Sequence, residues 1–179
     1  LELDFNAAEI RTLLALQNIE QPEEDIHEWN IKKIFKKDLS RDEAKRKIFA
    51  WLYNPESNSI DSKVYDRQSI LEQYYVEEQV QTPFGRTIAA PSSKALNYLL
   101  QSTSSDNTID RFNKISRYLS NSRSHVMAVV HDSIIIDLHR DDRQMIPILK
   151  NIFEDTKLGK FKVNVSLGKN LGDMKEFSW

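Results

Sequence analysis

Residues Met127–Leu138 read MAVVHDSIIIDL. Two runs of β-branched and apolar residues, Val126–Val130 and Ile134–Leu138, flank the polar triplet His131-Asp132-Ser133; turn residues between such runs are the local pattern of a hairpin. Strands this apolar are expected near the middle of a sheet, where the hairpin tip is held rigidly and presents an imidazole beside a carboxylate. The plainer role of His131 and Asp132 is turn formation, which Asp favours. A second acidic strand end, at the other end of the chain, gives the pair a further meaning.

That strand is Leu1-Glu2-Leu3-Asp4-Phe5, whose period of two puts Leu1, Leu3 and Phe5 on one face and Glu2 and Asp4 on the other. Asn6 followed by Glu9 has the form of a capping box, and Ile10, Leu13 and Leu14 continue at helical spacing. Asp4 therefore falls where a strand gives way to a helix. Glu9 reads first as part of the cap.

Composition sets bounds on what these acids do. The chain has 179 residues, 40% of them hydrophobic and 29% charged, so it is long enough for one domain or a domain with a subdomain. It opens at Leu1, inside a strand, and is read as part of a longer protein. No window approaches the roughly 18 uninterrupted apolar residues of a membrane span, and no signal-peptide pattern is present. Cysteine is absent, so thiol nucleophiles and thiolate ligands are excluded and a metal has carboxylate or imidazole to bind. A net charge of −2 gives no global pull toward nucleic acid or acidic lipid. Locally, Lys32, Lys33, Lys36, Lys37, Arg41, Lys45, Arg46 and Lys47 face only Asp38, Asp42 and Glu43. This is an anion-seeking surface, or simply a solvated helix face.

The clearest helix lies within that basic stretch. Ser40 with Glu43 forms another capping box and Asn54-Pro55 a stop. Inside it Arg41, Lys45, Phe49 and Tyr53 recur every fourth residue, a stripe about 18 Å long that drifts about 40° per step. Two cations lead to two aromatics, an order that suits a phosphate chain followed by a base or sugar. The alternative is a core Phe49 with solvated cations.

The remaining elements are read as follows. A polar loop covers Glu56–Ser62, a helix Val64–Tyr75, and a hairpin Val76–Ala90 turning at Thr82-Pro83-Phe84-Gly85. A helix from Pro91 to Gln101 breaks at the Ser/Thr-rich residues 102–105, and Asp106 or Asn107 caps a second helix through Leu119. Asp141-Asp142 caps an amphipathic helix with Ile146, Leu149, Ile152 and Phe153, and Lys160–Leu167 closes the chain as an alternating strand. The pattern predicts an α+β fold, an antiparallel sheet backed by helices.

Two strand-end aspartates, Asp4 and Asp132, without cysteine or paired histidines, suit Mg²⁺. Shared carboxylates clamping two such ions serve in-line phosphoryl displacement.

The chain resembles the C-terminal polymerase core of the family A DNA polymerases, the class of bacterial DNA polymerase I and several phage replicases. The first motif of that family, an Asp at a strand end before a helix carrying Glu and Arg, is similar to Asp4-Phe5-Asn6-Ala7-Ala8-Glu9-Ile10-Arg11. Asp25-Ile26-His27 has a counterpart there. The fingers-helix motif, Arg and Lys followed by Phe or Tyr and a final Tyr at fourfold spacing, is matched by Arg41, Lys45, Phe49 and Tyr53. Phe84-Gly85-Arg86 and Leu100-Gln101 resemble the segments before the last motif, a His-Asp at a hairpin tip, matched by His131-Asp132.

The resemblance implies a role for each. Asp4 and Asp132 hold two Mg²⁺ ions, helped by the backbone carbonyl of Phe5. Arg41 and Lys45 bind the triphosphate of the incoming deoxynucleotide, with Lys45 a proton donor to the leaving pyrophosphate. Phe49 stacks on its base or sugar, Tyr53 guards the template position, and Glu9 with Phe49 crowds the sugar 2′ position. Gln101, Arg86 and His131 meet the primer terminus or minor groove. Ser133 stands where the family has a second acid, Ala50 and Asn54 replace small residues of the fingers helix, and the segment from Tyr53 to Phe84 is short.

As subdomains, the resemblance implies palm over 1–20, reduced fingers over 21–83 with the nucleotide-binding helix at 40–53, and palm again over 84–179. Thumb and proofreading exonuclease precede the first motif in that family and have no counterpart within these residues. The expected function is template-directed DNA synthesis, with primer-template DNA and deoxynucleoside triphosphate as partners, no membrane, and an upstream segment or accessory subunit supplying the grip on DNA. The expected location is the cytoplasm of a bacterium or phage-infected host. The competing expectations are a weak or inactive polymerase-like DNA-binding module and, further off, a two-metal nuclease of unrelated fold.

Overall fold

The computed structural model of the chain describes residues 1–57, 60 and 64–177. Of the polar loop expected over Glu56–Ser62, positions 58, 59, 61 and 62 lie outside the described residues. In chain order the elements are β1 (Glu2–Phe5), α1 (Ala8–Leu16), α2 (Ile26–Asn30), α3 (Arg41–Tyr53), α4 (Arg67–Tyr74), β2 (Tyr75–Val76), β3 (Gln79–Gln81), β4 (Thr87–Ala89) and α5 (Ala95–Tyr118). There follow β5 (His125–Val130), β6 (Ser133–Asp137), α6 (Ile146–Glu154), β7 (Asp155–Thr156), β8 (Gly159–Lys160), β9 (Val163–Leu167) and β10 (Lys175–Glu176). Mixed helices and antiparallel sheets give the expected α+β class. The chain divides into two compact units, Leu1–Ala8 with Ser104–Trp179, and Glu9–Thr103. These bounds cut across the palm and fingers limits suggested by the resemblance.

The first unit is built on a five-stranded antiparallel sheet of order β10-β9-β1-β6-β5. β1 is central because its alternation works on both sides at once: Leu3 pairs with Ile134 and with Val165. Leu1, Leu3 and Phe5 share a buried face with Ile134, Ile136, Val163 and Val165. Onto that face packs α6, where the Phe5 ring stacks on Phe153 at 4.2 Å and meets Phe161 edge-on at 5.5 Å. The other face of β1 carries Glu2 and Asp4. With Asn164, Ser166 and Glu176 they line a shallow depression of about 520 Å³.

Several expectations need correction here. The hairpin is real, but β5 is an edge strand rather than a central one, and Met127, Val129 and Val130 are 64%, 40% and 46% exposed. Only β6, flanked by β1, is buried as its composition suggests. Ser133 belongs to β6, paired with Val130, so the turn is the two residues His131-Asp132. The Asn6–Glu9 box is not formed: the Asn6 N–H goes to the Lys162 carbonyl at 2.9 Å, Ala7 takes a left-handed φ of 54°, and α1 begins at Ala8.

The closing strand starts at Val163, because Gly159-Lys160 pairs back onto Asp155-Thr156. His139, not the Asp pair, caps the short 3₁₀ turn before α6, accepting from the Asp141 N–H, while the Asp142 carboxylate accepts from the N–H and hydroxyl of Ser124. The Ser/Thr run 102–105 does not break the chain, and α5 is one continuous helix of 24 residues. Its hydroxyls bond back to the preceding turn, Ser102 to the carbonyls of Tyr98 and Leu99 and Thr108 to that of Ser104. Ser102 and Thr108 are thus satisfied within the helix instead of diverting its backbone, while the Thr103 hydroxyl is buried without a partner.

The second unit is mainly helical. Asp25 caps α2, accepting from the N–H groups of His27 and Glu28 at 2.9 and 3.2 Å. The backbone then widens into one π-helical turn over Ile31–Phe35 and stops at Lys36, whose φ is 50°. The Ser40 capping box of α3 is present in both directions, as its sequence predicts. Ala44, Ile48, Trp51 and Leu52 form the buried face of α3 and leave Arg41 and Lys45 exposed. The helix ends at an extended Asn54. Arg67 closes that end, donating to the carbonyls of Trp51 and Asn54 while its guanidinium lies 5.0 Å over the Trp51 ring. The strands β2, β3 and β4 form a meander whose second turn is the expected one, with Gly85 at φ 86°.

Candidate active site

In the first unit the register of β1 fixes the acidic pair. Asp4 is directly opposite Ser133, so Asp132 at the hairpin tip is its next neighbour along β6. Two further bonds interlock the tip with the end of β1. The Phe5 N–H donates to the Asp132 carbonyl at 3.3 Å, and the Asp132 carboxylate accepts from the Ala8 N–H at the start of α1. The tip itself is held unusually, since His131 has φ 54°, a conformation that tight hairpins need and Gly or Asn normally fills. A histidine there carries a modest backbone strain.

Burial and charge then act together on the acids. Burial first, then the charge of Asp132, pushes the Asp4 carboxyl up to about 6, with a hydrogen bond from Asn164 opposing and Glu2 adding a little. Burial also raises the Asp132 carboxyl, while hydrogen bonds from its own N–H and that of Ala8 and the nearby His131 pull the other way. Two half-buried carboxylates that repel each other are relieved by a cation. Among the described residues no group of three or more His, Asp or Glu side chains is arranged to hold a metal. Asp4 and Asp132 offer carboxylate oxygens, the donor type that a hard divalent cation such as Mg²⁺ takes.

In the second unit the exposed stripe of α3 is ordered from Arg41 to Tyr53. The Arg41 guanidinium is ion-paired to Asp25 at 2.9 Å. Burial resists ionisation of Asp25, but Arg41 and the N–H groups of Glu28 and His27 carry its carboxyl below the ordinary value. Lys45 reaches over the Phe49 ring, 5.9 Å from its centre, and Phe49 lies parallel to Tyr53 at 5.8 Å. The Tyr53 hydroxyl donates to Glu9 at 2.6 Å. Burial, then the hydrogen bond and charge of Glu9, push its phenol up to about 12, against a smaller contribution from Gln101, which also hydrogen-bonds it. Arg86 donates to the Ser102 carbonyl of α5 at 2.8 Å. No protein-family profile and no curated protein matches the chain. Among solved structures it is similar to the polymerase domain of Pol1 from M. smegmatis in complex with a DNA primer-template and dNTP, with a TM-score of 0.65 and 14% identity over 90% of the chain. The fold is DNA polymerase-like. The chain spans 38% of that structure's length.

The structure thus gathers the expected residues into two sets. Asp4, Asp132 and His131 meet at one end of the polymerase-like sheet, next to the Phe5 backbone. Arg41, Lys45, Phe49, Tyr53, Glu9 and Gln101 form a continuous series in the helical unit. Arg86 is tied to the backbone of α5. Glu9 serves Tyr53 rather than a cap. Sequence reasoning missed Asn164, whose amide donates to Asp4 at 3.2 Å, and the ion pair between Asp25 and Arg41. Asn164 stands out at an outward position of an alternating strand, but its partner is visible only once the register of β9 against β1 is known.

Proposed function

We propose that this chain is the core of a template-directed DNA polymerase of the family A type. One observation carries the reading: two half-buried, mutually repelling aspartates, Asp4 and Asp132, at adjacent ends of antiparallel strands in a polymerase-like fold. The likeness of the α3 stripe to a fingers helix supports it.

In this reading the primer 3′-oxygen forms a bond to the α-phosphorus of a deoxynucleoside triphosphate. The bond from that phosphorus to the bridging oxygen breaks, the 3′-hydroxyl proton passes to water, and pyrophosphate leaves. Asp4 and Asp132 would hold two Mg²⁺ ions, with the Phe5 carbonyl as a further oxygen. Bound there, Mg²⁺ supplies charge neutralisation for the attacking and leaving oxygens. Arg41 exchanges Asp25 for the triphosphate, and Lys45 neutralises the same group and donates a proton to pyrophosphate. Phe49 stacks on the nucleoside, and Tyr53 with Glu9 bounds the sugar and template positions. Gln101, Arg86 and His131 contact the primer-template. The strand-borne carboxylates act as palm and the helical stretch around α3 as reduced fingers. An upstream segment or accessory subunit supplies the remaining grip on DNA.

Primer extension with Mg²⁺ tests this. Incorporation that Asp4→Asn or Asp132→Asn abolishes supports it, and extension unaffected by both overturns it. A second reading, a polymerase-like module that binds DNA without catalysis, draws on Ser133. Its hydroxyl donates to Glu2 and to the Val130 carbonyl, at 3.3 and 3.1 Å, where a second acid would strengthen the metal site. Such a module would bind DNA with salt-sensitive affinity and be indifferent to Asp132→Asn.

A further inference from the structure

Asp4 is flanked by two strands, and its two cross-strand partners behave differently. On the β6 side Ser133 spends its hydroxyl on Glu2 and Val130. On the β9 side Asn164, directly opposite, donates its amide to Oδ2 of Asp4 at 3.2 Å. Both backbones are pinned by ladder pairs on either side, Leu3 with Val165 and Phe5 with Val163, so the two residues stay directly opposite each other. An ionised carboxylate only accepts, which fixes the amide with its NH₂ toward Asp4.

We propose that Asn164 is a positioning residue for metal capture: by holding Oδ2 from the β9 side it keeps the Asp4 carboxylate in one rotation at the strand end. This deepens the polymerase reading and rests on it. A neutral donor suits the task. It occupies one lone pair of Oδ2, leaves Oδ1 and the other lone pair open, and brings no positive charge to compete with a cation. Partners that orient ligating carboxylates in this way typically carry about 10–100-fold in metal affinity or activity when removed. In this chain the device takes the place of a second acid after the hairpin aspartate, where Ser133 stands.

The test uses the full chain and Mn²⁺, with free ion followed by electron paramagnetic resonance. Asn164→Leu keeps the shape and loses the donor; Asn164→Gln keeps a donor; Asp4→Asn removes the ligand. Melting temperature in chelator checks folding, and Asn164→Ser, too short to reach Asp4, replaces Asn164→Leu if the latter fails to fold. The expected result is about 10-fold weaker Mn²⁺ binding for Asn164→Leu, a parallel rise in the Mg²⁺ needed for primer extension, an unchanged KM for deoxynucleotide at saturating Mg²⁺, and recovery of Mn²⁺ binding in Asn164→Gln. If the non-donating variant binds Mn²⁺ as the parent does while Asp4→Asn does not, the inference is overturned and the polymerase reading stands. A parent that neither binds Mn²⁺ nor extends primer overturns both.

Discussion

The hydroxyl of Tyr53, the last residue of α3, donates to the carboxylate of Glu9, in the first turn of α1, at 2.6 Å. The phenol is held well above its ordinary value, so it stays a donor throughout the physiological range. The bond ties the end of the cation and aromatic stripe to the first turn of α1.

Removing it separates stability from selectivity. Tyr53→Phe deletes only the donor and is expected to cost about 1 kcal/mol, the usual net worth of one hydrogen bond between exposed groups, read from urea unfolding. If Glu9 bounds the sugar as proposed, Glu9→Ala opens space there and the ratio of ribonucleotide to deoxynucleotide incorporation is expected to rise. A ratio that stays at the parental value contradicts the sugar role of Glu9.

The Asp4 carboxyl titrates near 6 in the folded chain against 3.8 in an unfolded one. Between these values the folded state holds the extra proton, so stability contributed by Asp4 is present below 3.8 and is lost as pH rises through about 6. Above that, in chelator, Asp4→Asn is expected to melt higher than the parent, with the difference shrinking to nothing toward pH 4. Added Mg²⁺ should stabilise the parent above pH 6 and leave Asp4→Asn unchanged. Thermal melts of both proteins from pH 4 to 8, with and without metal, check the sign.

Arg67 closes the C-terminal end of α3 through two carbonyls and the Trp51 ring. Arg67→Ala is expected to destabilise the helical unit by about 2 kcal/mol, from lost hydrogen bonds and ring contact together. Arg67→Lys should recover little, since an ammonium lacks the planar fork that bridges two carbonyls. Chemical unfolding followed by tryptophan fluorescence reads this directly, because Trp51 is the contact.

Phe5 occupies the core behind Asp4, stacked on Phe153 and edge-on to Phe161. Phe5→Ala is expected to cost about 3–5 kcal/mol and to weaken metal binding as well, because β1 loses the anchor next to Asp4. A loss of stability with metal affinity intact, measured under conditions where the variant is folded, would detach the site from its packing.

Strand β5 leaves Met127, Val129 and Val130 exposed on an unpaired edge, a template for pairing with other chains. Val129→Lys should raise solubility and lower light scattering without shifting the melting temperature.

Much of this was legible in the residues themselves. Period-two alternation gave β1 and its buried face, the Ser40 capping box gave α3 and its exposed stripe, and the turn residues gave the hairpin that carries Asp132. What stayed hidden depended on which strand lies beside which. The apolarity of Val126–Val130 reads as burial, yet its position at the sheet edge leaves it exposed, because composition does not fix strand order. The Ser/Thr run in α5 reads as a break because local pattern does not show its burial, which keeps Ser102, Thr103 and Ser104 within one continuous helix. Asn164 and Glu9 found partners 160 and 44 residues away, distances over which local pattern is silent.

The most direct measurement is single-turnover extension of a primer-template by excess protein, with Mg²⁺ and deoxynucleotides, for the parent and for Asp132→Asn. Mg²⁺-dependent addition by the parent and none by the variant, although both bind the DNA, is the expected result. Equal extension by the two proteins, or none by either at any Mg²⁺ concentration, would contradict it.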